Sequence, residues 1–164
     1  MIMTTDDLCL SNLKYFEYWD KVKEKYPDLR LIAFTIANFK GKEDLSKSKI
    51  FKEWFGQHKD WCEIGVHGYD HIYPPECERD NQEEFIVKAL KILKSYLSEK
   101  FLYRAPGFQV TCKTEPILRK LGFAGIAHQD KIKYFDGNFD IPFNTHCLDK
   151  YHNPITQIWT KLAL

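Results

Sequence analysis

Leu29 to Ile36 reads LRLIAFTI, and Leu31 to Phe34 within it carry no polar side chain. An unbroken apolar run of this length is the mark of a strand covered on both faces, as in a parallel sheet. The segments on either side alternate in kind. Upstream, Met1 to Thr5 is short, apolar and β-branched, and two carboxylates, Asp6 and Asp7, follow it. Ser11 is placed to cap a helix carrying Leu13, Phe16, Trp19 and Val22 at three-residue steps, closed by Pro27. Downstream, a lysine-rich connection from Lys40 to Lys49 leads into a helix with Ile50, Phe51, Trp54 and Phe55. Cys62 to Val66 (CEIGV) is a third strand that runs straight into His67.

The alternation continues to the end of the chain. Asp80 opens the most strongly patterned helix, with Glu83 where a capping-box partner belongs. Phe85, Ile86, Ala89, Leu90, Leu93, Tyr96 and Leu97 form its core-facing stripe. Phe101 to Tyr103 is a short strand ending at Arg104. Thr114 caps a helix with Pro116 in its first turn and Gly122 at its end. Phe123 to Ala127 and Phe139 to Thr145 are further strands, and Pro142 makes the second an edge or a bulged strand. Ile155 to Leu164 fits a last short helix. Strand and helix thus alternate about five times, which predicts one α/β domain over 1–164 with parallel strands and right-handed crossovers. An open doubly wound sheet and a closed or partial barrel both satisfy this pattern.

Composition narrows the function. The 164 residues suit a single domain, and 44% hydrophobic residues can fill its core. Twenty-five aromatics (12 Phe, 9 Tyr, 4 Trp) exclude disorder. With 24 basic and 23 acidic residues the net charge is +1, without the basic excess of a nucleic-acid binder. No apolar run approaches the length of a membrane span. The beginning, MIMTTDD, lacks a basic and then apolar leader, so a cytoplasmic location is expected. The five cysteines (Cys9, Cys62, Cys77, Cys112 and Cys147) form no C-x-x-C pair and are read as reduced thiols.

Ionisable residues gather where the strands end, the place where α/β folds carry their sites. His67 and His71 in HGYDH are spaced i, i+4, on one face of a helical turn and within reach of one metal ion. Gly68 stands where an H-E-x-x-H motif would place its base, so the base must come from elsewhere. A pair of ordinary loop histidines would carry the same spacing. Asp6 and Asp7 repel one another unless a cation or an arginine relieves them, and a strand end can turn the two in different directions. A capped turn is their bland alternative. Two histidines and a carboxylate suit Zn²⁺ with an open position, and a second carboxylate can act as base. Arg104 could pair with that second carboxylate and fix its orientation. Pro106 and Gly107 allow a tight turn whose N–H groups can hold an oxyanion. His146 could act as general acid toward a leaving amine.

The ordered set TTDD (Thr4 to Asp7), HGYDH (His67 to His71), YRAPGF (Tyr103 to Phe108) and NTH (Asn144 to His146) resembles the polysaccharide deacetylases, the NodB-homology or carbohydrate esterase family 4 group. The resemblance runs from Thr4 to His146. It implies a distorted or partial (β/α) barrel of about six to seven parallel strands. It implies Asp7, His67 and His71 as ligands of a divalent metal, most often Zn²⁺, with Co²⁺ or Ni²⁺ as alternatives. Asp6 would be the base, Arg104 the residue that holds it, and His146 the acid. The Gly107 N–H would lie near the oxyanion. Apart from the resemblance, Tyr69, Tyr73 and Phe108 stand near the expected rim, where they could stack on a sugar. The implied reaction is hydrolysis of an acetamide on an N-acetylated carbohydrate. Thr5 replaces the Phe of the usual TFDD, and Gly107-Phe108 stands where many members have Tyr-Gly. For the family's Asp/Trp motif, Asp130, Asp136 and Asp140 are candidates with no Trp beside them. Two alternatives share the fold: an allantoinase-like hydrolase of a small amide or ureide, and a catalytically silent binding module. Lys40, Lys42, Lys47, Lys49 and Lys52 read as a solvated face.

Overall fold

A computed structural model describes residues 2–147, with side chains for 2–142. Ten strands appear in chain order: β1 (Ile2–Leu8), β2 (Arg30–Thr35), β3 (Asn38–Phe39), β4 (Glu43–Asp44), β5 (Cys62–Val66), β6 (Leu102–Tyr103), β7 (Gly125–Ala127), β8 (Ile132–Tyr134), β9 (Phe139–Asp140) and β10 (Phe143–Cys147). Four α-helices join them: α1 (Glu17–Lys25), α2 (Lys49–His58), α3 (Gln82–Leu93) and α4 (Thr114–Lys120). Eight strands form one sheet in the order β10-β1-β2-β5-β6-β7-β8-β9. The six from β10 to β7 are parallel, and β8 and β9 extend the sheet antiparallel. The sheet curls into a partial barrel, which settles the choice that the alternation leaves open. No helix among the described residues is long and apolar enough to cross a membrane.

The apolar run in β2 is explained by a core on each side of the sheet. Leu31 and Ala33 join the large cluster that includes Trp19, Phe51, Ile86 and Leu93 from the helices. Ile32 and Phe34 face the other way, into a smaller cluster with Leu102, Ala127 and Ile132. Alternate residues of one strand therefore bury on opposite faces. Gly65 on the neighbouring β5 makes room for this: a Cβ there would lie 2.5 Å from Cδ1 of Phe34.

Several local expectations are corrected. Ser11 lies in a 3-10 turn (Leu10–Tyr15), and its N–H and hydroxyl both donate to the Glu43 carboxylate, so it caps no helix. The first α-helix starts only at Glu17. The helix expected from Asp80 begins at Gln82, and its N-cap Asn81 makes no side-chain bond. Glu83 does not complete a capping box, because Lys120 Nζ on α4 claims its carboxylate at 2.6 Å. Thr114 is the first residue of α4 rather than its cap, and its hydroxyl accepts the Thr111 N–H at 3.0 Å. Pro142 splits the strand expected over 139–145 into β9 and β10. The Lys40–Lys49 connection contains β4, which pairs antiparallel with β3 just before it. The helix expected at Ile155–Leu164 lies outside the described residues.

Candidate metal centre

The ends of β1, β5 and β6 bring the predicted polar residues to one rim. β1 is bulged there. Thr5 pairs with Ala33 and Leu8 with Thr35, so three steps on β1 face two on β2. Asp7 sits in the extra position with φ 58°, a left-handed conformation that Asp tolerates better than most residues. The bulge re-aims one of two adjacent carboxylates, a recurrent use of this device.

Asp6 turns to Arg104. Its Oδ1 accepts from Nη1 at 2.6 Å, and the guanidinium has no solvent exposure. Nη2 donates to Thr4 Oγ1 at 3.1 Å and to the His128 carbonyl at 3.4 Å. The guanidinium carbon stacks 4.1 Å from the Phe34 ring centre. Burial pulls Arg104 below its ordinary pKa, and the Asp6 charge and hydrogen bond work against that.

Asp7 turns to the histidines. Its Oδ1 is 3.4 Å from His67 Nε2 and 3.3 Å from His71 Nε2. His67 Nδ1 lies 2.9 Å from the Arg104 carbonyl, which can only accept, so Nδ1 carries the proton and Nε2 faces the cluster. Burial presses the His67 pKa down, but the Asp7 bond and the charges of Asp6 and Asp7 outweigh it and the net shift is upward. At His71, burial and the charge of His67 win over Asp7, and the shift is downward.

The donor set fits a divalent cation. The three donor atoms lie within 4.8 Å of one another. The 3.3 and 3.4 Å separations match the edge of a tetrahedron with bonds of about 2.1 Å, the usual length from zinc to nitrogen or carboxylate oxygen. Two imidazoles and one carboxylate leave a fourth position open. The Arg104 carbonyl on His67 Nδ1 is the outer-shell acceptor that metal-binding histidines usually have.

The two histidines stand on a loop rather than on the expected helical turn, with Gly68 at φ 76° and His71 at φ 55°, and this loop is braced on both sides. Ala37, Asn38 and Lys40 donate backbone N–H bonds to the carbonyls of Gly68, Tyr69 and Asp70 at 3.3, 2.7 and 2.8 Å. Asp70 is held by Arg79 through two bonds of 3.0 and 3.1 Å and accepts the Ile72 N–H at 3.0 Å. Sequence reasoning missed Thr4, Asp70, Arg79 and Glu76. The acid enclosed between two histidines in HGYDH was the available sign of the Asp70 brace; nothing local marks Glu76.

The Pro106–Phe108 turn has Gly107 at φ 63° and Phe108 at φ 58°. Phe108 donates its N–H to the Ala105 carbonyl at 2.9 Å, and its ring centre lies 5.5 Å from the Arg104 guanidinium carbon. Gly107 is exposed beside Tyr73, whose hydroxyl would be 3.5 Å from a Cβ added there. Tyr69 is tied into the framework: its hydroxyl accepts from Asn38 Nδ2 at 2.9 Å, and its ring packs 6.0 Å from that of Phe85. β10 pairs with β1, with Asn144 opposite Thr4 and Cys147 opposite Asp6. This puts the His146 backbone beside the carboxylate end of β1, while its side chain lies outside the described residues. Of the Asp/Trp candidates, Asp136 accepts the Asn138 N–H, Asp140 accepts the Tyr134 hydroxyl, and Asp130 is exposed.

No family model and no curated protein matches the sequence. Solved structures do match the fold. One is a carbohydrate esterase family 4 pseudoenzyme from Bacillus anthracis, at 14% identity and a TM-score of 0.60, over 79% of this chain and 43% of that one. Another is a family 4 carbohydrate esterase from Streptomyces lividans in complex with acetate, at 13% identity and 0.55, over 79% and 62%. A third is a family 4 acetyl xylan esterase from Clostridium thermocellum with a cobalt ion, at 13% identity and 0.52, over 77% and 57%. The fold is that of the family 4 carbohydrate esterases. The chain spans only part of the length of each of these proteins.

Proposed function

We propose that the chain is a metal-dependent hydrolase that removes an acetyl group from an N-acetylated sugar or a related amide. One observation carries the reading. A buried Asp6–Arg104 pair stands beside an Asp7–His67–His71 cluster of ligand-like dimensions, on the fold of the family 4 esterases. Asp7 Oδ1 and the Nε2 atoms of His67 and His71 would hold the cation. When bound, Zn²⁺ or a similar ion supplies Lewis acidity that polarises a carbonyl and makes water a nucleophile near neutral pH.

The other groups have separate tasks. Asp6 takes the proton from the attacking water, and Arg104 holds its carboxylate in one orientation. The Gly107 N–H donates to the developing oxyanion. His146 returns a proton to the departing amine. Phe108, beside Arg104, lines the approach to the site, whereas Tyr69 serves the loop that carries the histidines. The presence of both the base pair and the three donors favours turnover over a silent module. The test is a screen of the zinc- or cobalt-loaded protein. Acetate release from an acetylated chito-oligomer supports the reading. Ring opening of a small ureide instead moves the assignment to an allantoinase-like hydrolase. No turnover of either by a metal-loaded chain favours the silent module.

A further inference from the structure

Glu76 lies in a single 3-10 turn (Glu76–Glu78) and is 1% exposed. A carboxylate buried this deeply is costly unless its oxygens are bonded. Oε1 accepts the Tyr69 N–H, and Oε2 accepts the hydroxyl of fully buried Tyr103 at a long 3.5 Å. Tyr69 lies between His67 and His71. Tyr103 immediately precedes Arg104, whose carbonyl meets His67 Nδ1. One carboxylate thus touches both segments that shape the cluster. It also packs flush against the loop. A Cβ on Gly68 would lie 2.7 Å from Glu76 Oε1 and 3.0 Å from Pro106 Cγ, at a backbone φ of 76°. Where an H-E-x-x-H sequence places a Glu side chain, this chain has glycine, and a carboxylate from eight residues later occupies the space that a Cβ would need.

From this packing we infer that Glu76 is a positioning residue for the metal ligands, acting as a hydrogen-bond acceptor that fixes Gly68 and Tyr69 and so sets the spacing of His67 and His71. The inference rests on the metal reading above. What matters in it is the acceptor at the right reach, not the charge. Glu76→Gln keeps that acceptor, and Glu76→Asp withdraws it by about 1.5 Å, one carbon–carbon bond.

The test is titration of the metal-free chain with Co²⁺ alone, followed by calorimetry and by the visible ligand-field spectrum. Circular dichroism checks that each variant is folded. Wild type and Glu76→Gln are expected to bind one Co²⁺ with the same spectrum. Glu76→Asp should bind roughly tenfold or more weakly, as losses of outer-shell partners do, and with an altered band. Wild-type affinity and spectrum in Glu76→Asp overturn the role, and so does equal weakening of both variants. No Co²⁺ uptake by the wild type overturns the metal reading and this inference with it. Uptake by the wild type that Glu76→Asp leaves unchanged overturns this inference alone.

Discussion

Asp6 and Asp7 are neighbours in the chain but serve different partners. Asp6 Oδ1 meets the buried Arg104 guanidinium at 2.6 Å, while Asp7 Oδ1 stands 3.4 and 3.3 Å from the Nε2 atoms of His67 and His71. The bulge in β1 separates them. Like charges this close would otherwise disfavour joint ionisation. Here each has its own partners, a guanidinium for Asp6 and two imidazoles for Asp7.

That division predicts opposite behaviour on substitution. Asp6→Asn keeps metal binding and loses amide hydrolysis by two orders of magnitude or more, roughly the contribution of a general base. His67→Ala loses both. Calorimetric titration with Zn²⁺, run beside an acetate-release assay, separates the two. An Asp6→Asn protein with normal turnover would remove Asp6 from the mechanism.

The buried ion pair also sets a stability expectation. Arg104→Met leaves Asp6 buried without its partner and should cost about 3–5 kcal/mol in urea unfolding. Adding Asp6→Asn to Arg104→Met should recover part of that loss, since no charge is then left uncompensated. A double variant no better than the additive sum would mean that the pair is not coupled.

Glu76 offers a pH signature in the metal-free chain. Burial raises its pKa above the ordinary carboxylate value, against the Tyr69 bond. The folded protein therefore holds a proton that the unfolded chain has released, in the window above the ordinary Glu value and up to the raised one. Stability falls as pH rises through that window, because the unfolded state then binds fewer protons. Glu76→Gln lacks this loss, so its stability relative to wild type should improve as pH rises from about 4.5 toward 7. Urea midpoints at the two ends of the range check the sign.

Thiol labelling should follow burial. Cys9 and Cys62 are buried, and desolvation pushes the Cys9 thiol up to about 12 and raises Cys62 as well. Cys112 is exposed. A thiol reagent at neutral pH, with peptide mapping, should modify Cys112 first and reach Cys9 and Cys62 only on unfolding. Early modification of Cys62 would contradict the packing of β5.

Much of this architecture was legible in the chain because burial on two faces leaves an unambiguous trace. Leu31 to Phe34 are apolar, and Cys62 to Val66 are apolar apart from Glu63, for a reason that the β2–β5 pairing makes plain. The partial barrel came from the resemblance, since alternation fits an open sheet equally well. What escaped notice was either short or set by distant partners. Asn38–Phe39 and Glu43–Asp44 are two residues long and have no period to detect. Ser11 and Glu83 look like caps but are claimed by Glu43 and Lys120, which no local rule anticipates. At the candidate site, residue types and spacing brought Asp7, His67, His71 and Arg104 together. The left-handed turn at Asp7 and the brace from Glu76 depend on β2 and on Tyr69, and they become visible only in three dimensions.

The most direct measurement is a crystal of the zinc- or cobalt-loaded protein with anomalous diffraction recorded at the metal edge. One peak is expected, within bonding distance, about 2.0–2.2 Å, of Asp7 Oδ1 and the Nε2 atoms of His67 and His71. Density for these three side chains with no anomalous peak among them, in crystals grown with saturating metal, would contradict the central claim.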